Sequence, residues 1–204
     1  MSCCAVRRPR LLKPDTHLIP TASQTVGPFF SIELTTVEHS VTRLPGLEDR
    51  EIRIWIRFQV LDGDGAPVDD AMLEIWQADS NGKYNHPEDV QAKKLAPGWM
   101  GFGRIGTGED GSCVLETIRP GRVAQGIAQA PHLSLAVFAR GMLKPLYTRV
   151  YFSGEAANAE DPILRLVPPG RRDTLLARPD PTRPGHWSFD VRLQGDRETV
   201  FFDV

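Results

Sequence analysis

Apolar and polar side chains alternate most strictly across residues 51–61, where Ile52, Ile54, Ile56, Phe58 and Val60 share one face and Arg53, Trp55, Arg57 and Gln59 the other. A period of two over this length predicts a half-buried strand. Shorter runs predict strands over 71–77, 112–118, 132–138, 147–152, 186–193 and 199–204, most of them bounded by Gly, Pro, Asp or Asn. Helical signals are confined to 161–167, where Pro162 suits an opening turn, and 171–177, rich in helix formers. Many short strands separated by turn residues predict an all-β chain folded as a β-sandwich, with a few short helices and long loops.

The length of 204 residues suits one domain with a sizeable core, assigned to 21–204, preceded by a basic, flexible extension over 1–20. A net charge of −2 with 25% charged residues supplies no surface for nucleic acid or an anionic membrane. The longest apolar runs, such as 135–139 and 200–202, fall far short of the ~20 residues that cross a bilayer. The extension carries Arg7, Arg8 and Arg10 without the apolar block of a secretory signal, and Pro9, Pro14 and Pro20 interrupt any presequence helix. Of three cysteines, Cys3 and Cys4 are adjacent in the extension and Cys113 stands alone, an odd count that fits a reducing compartment. A soluble, cytoplasmic protein is expected.

Two apparent motifs lack their required context. Gly101, Gly103 and Gly106 spell GxGxxG, but the run follows Pro97-Gly98-Trp99 and leads into Thr107-Gly108, so a glycine-rich loop is expected rather than a phosphate cradle. Asp62-Gly63-Asp64-Gly65 hints at a calcium loop, yet its twelfth position is Leu73, and a hairpin turn is the better reading. HExxH, GxSxG and CxxC do not occur, which removes the commonest zinc-protease, esterase and thiol-redox chemistries.

The stretch from Leu73 to Tyr84 ends a buried-looking strand in a polar turn that presents a tyrosine. Glu74-Ile75 followed by Gly82-Lys83-Tyr84 resembles the signature of the intradiol ring-cleavage dioxygenases. The likeness runs from Thr21 onward, through Ile118-Arg119-Pro120-Gly121, the run Ala130 to Gly141, Tyr147-Thr148-Arg149-Val150-Tyr151-Phe152, Asp161-Pro162-Ile163-Leu164, Arg171-Arg172-Asp173-Thr174-Leu175 and Thr199-Val200-Phe201-Phe202-Asp203. It implies the family's β-sandwich. It also implies a ferric ion held by two tyrosinates and two histidines, a hard mixed donor set that activates a catecholate toward dioxygen.

Carried over residue by residue, the ligand positions fall on Tyr84, Val123, His132 and Ser134. Residues two apart on a strand share a face, which is why the pattern asks for His-x-His. Valine offers no donor and a neutral serine hydroxyl is a poor one, so no metal is expected in this chain. Tyr84 then reads as a packed or rim tyrosine and His132 as a hydrogen-bonded strand histidine. Within the family, such loss resembles the alpha subunit of a heteromeric enzyme whose beta subunit carries the Fe(III). The reaction implied is that of a small aromatic dihydroxybenzoate with O2, giving 3-carboxy-cis,cis-muconate.

The resemblance further assigns Thr25, Gly27, Pro28 and Arg140 to the rim of the partner's substrate pocket, Arg140 as a guanidinium for the substrate carboxylate. On residue type alone Arg140 reads equally as a surface charge before Gly141. Residues 21–30 are plausible as an arm laid across a neighbour, and Trp76, Trp99, Trp187, Phe29 and Phe30 serve either the core or a partner. Two other readings stand beside this one. One is a self-sufficient iron enzyme recruiting His86 or Tyr147; the other is a β-sandwich binding module that keeps only the scaffold.

Overall fold

The structure, a computed structural model, describes residues 22–27, 30–35, 53–124 and 126–203. Cys3, Cys4, Pro28, Phe29 and Ile52 lie outside the described residues. Eight strands form the body: β1 (Arg53–Leu61), β2 (Met72–Gln77), β3 (Phe102–Gly106), β4 (Ser112–Ile118), β5 (His132–Phe138), β6 (Leu146–Phe152), β7 (Leu176–Pro179) and β8 (His186–Arg192). Two short helices, α1 (Phe30–Leu34) and α2 (Pro162–Leu166), and 3-10 turns at Ala156–Ala159 and Pro169–Leu175 complete the order. Among the described residues no helix is long and apolar enough to cross a membrane.

The strands hydrogen-bond in the order β3-β2-β5-β6-β7-β8-β1-β4, and the inward faces of the two halves share one hydrophobic cluster. The strict alternation of β1, which lies between β8 and β4, matches a strand with one face in the core. Ile54, Ile56, Phe58 and Val60 are buried against residues such as Leu73, Ile75, Leu133 and Val137, while Arg53 and Arg57 face outward. Each such side chain contributes about 1.5–3 kcal/mol by leaving water. The outward face of β2, β5 and β6 is the one that carries chemistry.

Three local expectations change. The GxGxxG run is β3, not a loop: Ile105 is buried opposite Leu73, and Phe102 pairs with Trp76. Its glycines serve close packing, for a Cβ on Gly101 would fall 2.4 Å from the Gln77 carbonyl oxygen, at φ +70. Residues 199–203 form no strand but touch β6 through one bridge, Tyr147 to Phe202. Residues 171–177 open as a 3-10 turn beginning at Pro169 and pass into β7, which pairs with β6 over only two residues and so left little pattern to read. The Asp62 turn is a hairpin turn as expected, its carboxylate accepting from the Asp64 and Ala66 amides.

Candidate functional site

Strand register sets three rows of side chains on the outward face. Phe102, Trp76, Ser134 and Arg149 pair in sequence across β3, β2, β5 and β6. Arg104, Glu74, Ala136 and Tyr147 form the next row, and His132 pairs with Tyr151 on the other side of the first. Directly opposed residues stand close enough for their side chains to interact. Ser134 is therefore flanked by an indole and a guanidinium.

Tyr84 reaches this face from the turn after β2. Buried Asp79 organises that turn, accepting from the Asn81 and Lys83 amides at 2.9 and 2.8 Å and from the Ala96 amide at 2.9 Å. Gly82, at φ +79, packs so tightly on the 121–122 backbone that a Cβ would lie 1.9 Å from the Arg122 oxygen. The contact holds the loop carrying Val123 beside the loop carrying Tyr84. The Tyr84 ring stacks on Trp76 at 5.7 Å and 13°.

His132 is buried, and its Nδ1 lies 2.8 Å from the Ala130 carbonyl oxygen. A carbonyl only accepts, so Nδ1 carries the proton and Nε2 accepts from the Tyr84 hydroxyl at 3.2 Å. Behind them, buried Asp161 accepts from the Tyr151 hydroxyl and the Ala130 amide while capping α2 through the Ile163 and Leu164 amides. Burial pushes the Tyr84 phenol up to about 12. Burial first, and then the Arg149 charge, hold His132 down at about 4. Both groups are neutral near pH 7.

These donors do not fit a ferric centre. Val123 is buried and offers no donor, and Ser134 offers a hydroxyl. The two remaining donors are bonded to each other. His86 is exposed and its Nδ1 accepts from the Glu88 amide, within its own loop. Among the described residues no group of three or more His, Cys, Asp or Glu converges as for a metal. Arg149, which donates to Gln129 Oε1 at 2.7 Å, was not a sequence candidate. The alternation of Tyr147, Arg149 and Tyr151 along β6 was the available signal, since it puts all three on the face of Ser134.

Thr25, Gly27 and Arg140 gather elsewhere. The Thr25 hydroxyl oxygen accepts from the Gly141 amide at 3.1 Å and the Gly27 amide at 3.4 Å, which ties the amino-terminal segment to the residue after Arg140. Arg140 is 63% exposed and pairs with Asp70 at 3.1 Å. It lies beyond the last residue of β5, whereas His132 is the first. At about 3.3 Å per residue β5 alone spans roughly 20 Å, and Arg140 lies in the turn beyond its far end. The expected site residues thus form two groups at opposite ends of one strand, with Pro28 outside the described residues.

Residues 25–195 match the sequence profile of the Dioxygenase family. The chain is 46% identical to the protocatechuate 3,4-dioxygenase alpha chain of Burkholderia cepacia, over 93% of this chain and all of that one. It is 33% identical to the beta chain from the same organism, over 80% of this chain and 74% of the relative. A solved dioxygenase domain from Streptomyces sp. SirexAA-E, part of a carbohydrate-binding fusion protein, superposes with a TM-score of 0.57 at 27% identity, over 87% of this chain and 99% of that domain. With the profile spanning most of its length and a relative this similar from end to end, the chain belongs to the intradiol dioxygenase family.

Proposed function

We propose that this chain is the alpha subunit of a heteromeric protocatechuate 3,4-dioxygenase, completing the substrate pocket of an iron-bearing beta subunit for the conversion of protocatechuate and O2 to 3-carboxy-cis,cis-muconate. The observation that carries the reading is the separation along β5. Residues matched to the pocket rim stand a strand's length, roughly 20 Å, from the ligand positions of the same chain, too far to serve one small substrate. They suit a site on another chain. The family is iron-dependent, and four ligand positions here supply only two neutral, mutually bonded donors and one hydroxyl, so the Fe(III) belongs to the partner.

Similarity to both an alpha and a beta chain supports a pairing of two related folds about a pseudo-two-fold axis. The reading requires the Arg140 end of this chain to meet the ligand end of its partner. There the Arg140 guanidinium offers two parallel N–H groups to the substrate carboxylate. Its pair with Asp70 is of the surface kind worth ~0–1 kcal/mol, so little opposes its release. Thr25 fixes the backbone at Gly141, and Gly27 lets the main chain approach the ring. The unpaired Cys113 suits a cytoplasmic, reducing setting.

Iron content and the visible spectrum of the chain, alone and co-purified with its beta partner, test the proposal. The lone chain is expected colourless and iron-free, and the complex to hold one iron per pair with a tyrosinate charge-transfer band. Stoichiometric ferric iron in the lone chain would overturn it.

A further inference from the structure

The row Phe102, Trp76, Ser134 and Arg149 floors a cavity of about 520 Å³, closed by Tyr147, Phe202 and the Ile163 and Leu166 side chains of α2. That volume is in the range of small-molecule sites, and the lining has their usual character, mostly aromatic and aliphatic with few polar groups. Apolar side chains remain open to solvent around it: Phe102 is 39% exposed, Tyr147 40% and Leu166 78%. Two carboxylates reach the cavity. Glu74 is neutralised by the Nε of Arg104, and Asp203 sits exposed at the rim.

Arg149 is the cation that remains. It is half-buried, bonds to the neutral amide of Gln129, and has no carboxylate within ion-pair distance among the described residues. A cation withdrawn from water beside an apolar wall is stabilised by an anion brought to it. Its charge reaches the Tyr84 hydroxyl and His132 and there outweighs the opposing carboxylates of Asp89 and Asp161, which favours an anion over a cation at this corner. One positive charge beside flat aromatic walls selects a monoanion with a planar apolar body.

We propose that this cavity is a second, non-catalytic binding site for a small aromatic carboxylate, the guanidinium of Arg149 taking the carboxylate and Trp76, Phe102 and Tyr147 enclosing the ring. Ser134, directly across from Arg149, offers a hydroxyl to a ring substituent. This assignment rests on the cavity alone and does not depend on whether the chain serves a beta partner.

Calorimetric titration of the full chain, in the form in which it purifies, tests the site with three probes: benzoate, its uncharged isostere benzamide, and the open-chain dicarboxylate cis,cis-muconate. Arg149→Gln is expected to weaken one benzoate site per chain by about tenfold or more, as for loss of a hydrogen bond to a charged group, and to leave benzamide within twofold. Arg149→Lys retains part of the affinity. Ala136→Phe, which fills the floor and keeps the cation, abolishes binding of both ring probes, and it decides the matter if Arg149→Gln does not fold. Benzoate affinity unchanged in Arg149→Gln or in Ala136→Phe, or no benzoate site in the wild type, overturns the proposal. Muconate binding as tightly as benzoate overturns the assignment to an aromatic ring.

Discussion

The two ends of β5 obey one alternation and carry polar side chains of opposite disposition. At the His132 end the groups are buried and bonded to one another, Tyr84 to His132, His132 to Ala130 and Tyr151 to Asp161. At the Arg140 end they are exposed, held among the described residues by a surface ion pair and a threonine hydroxyl. Donors that satisfy each other inside the fold become part of its stability. Donors left in water at the end of a rigid strand stay available to another molecule.

The largest expected effect separates the ends by acid. Burial holds His132 at about 4, against an ordinary value of 6.5. The unfolded chain takes up a proton near 6.5 and the folded chain only near 4, so this stabilisation is complete above pH 6.5 and is lost as pH falls to 4. A separation of that size corresponds to about 3 kcal/mol. Urea midpoints between pH 7 and 4 should show it, and His132→Phe should flatten the dependence while lowering stability at pH 7. Arg140→Ala should leave the slope intact. An undiminished slope in His132→Phe would assign the proton uptake to another group.

Arg140→Ala is expected to lower kcat/KM of the assembled enzyme for protocatechuate about 10- to 100-fold, as for one charged hydrogen-bond partner, and to leave iron content and the chain's own melting unchanged. Arg140→Lys should recover part of the loss. If the alanine variant turns over normally, Arg140 is a surface charge paired with Asp70 and the two ends do not differ in function.

Legibility in the sequence followed the same division. β4 and β5 were readable residue for residue, because burial on one face only imposes a period of two that survives in the chain. β3 was not, since Gly103 and Gly106 erase the alternation that Ile105 and Phe102 begin, and their reason lies in distant packing, such as Thr35 at 3.1 Å from a Cβ on Gly106. At the site, the resemblance singled out Tyr84, Val123, His132 and Ser134. The bond between Tyr84 and His132, and the arrival of Arg149 opposite Ser134, depend on strand register and burial, which no local pattern states.

Tyr84→Phe tests how closed the His132 end is. Deleting the hydroxyl leaves Nε2 of a buried histidine without its donor, at a cost of about 1–2 kcal/mol, read from urea midpoints at pH 7. The complex should keep its iron and its kcat/KM. A loss of iron from the complex would show that this end still acts in the chemistry and would remove the contrast.

Gly27→Ala is the finest test at the other end. Gly27 sits at φ +70, and an added Cβ would meet nothing within 4 Å, so the substitution introduces backbone strain without a clash. Strain in the left-handed region costs roughly 1 kcal/mol for an L-residue. Because the segment is exposed and, among the described residues, tied through Thr25, the strain should be relieved by local movement, leaving the chain's melting unchanged. In the complex, with the segment bordering the substrate as proposed, the same movement should raise KM a few-fold with kcat preserved. A variant that melts earlier and turns over normally would mean that the backbone at Gly27 supports this chain's own fold rather than a partner's pocket.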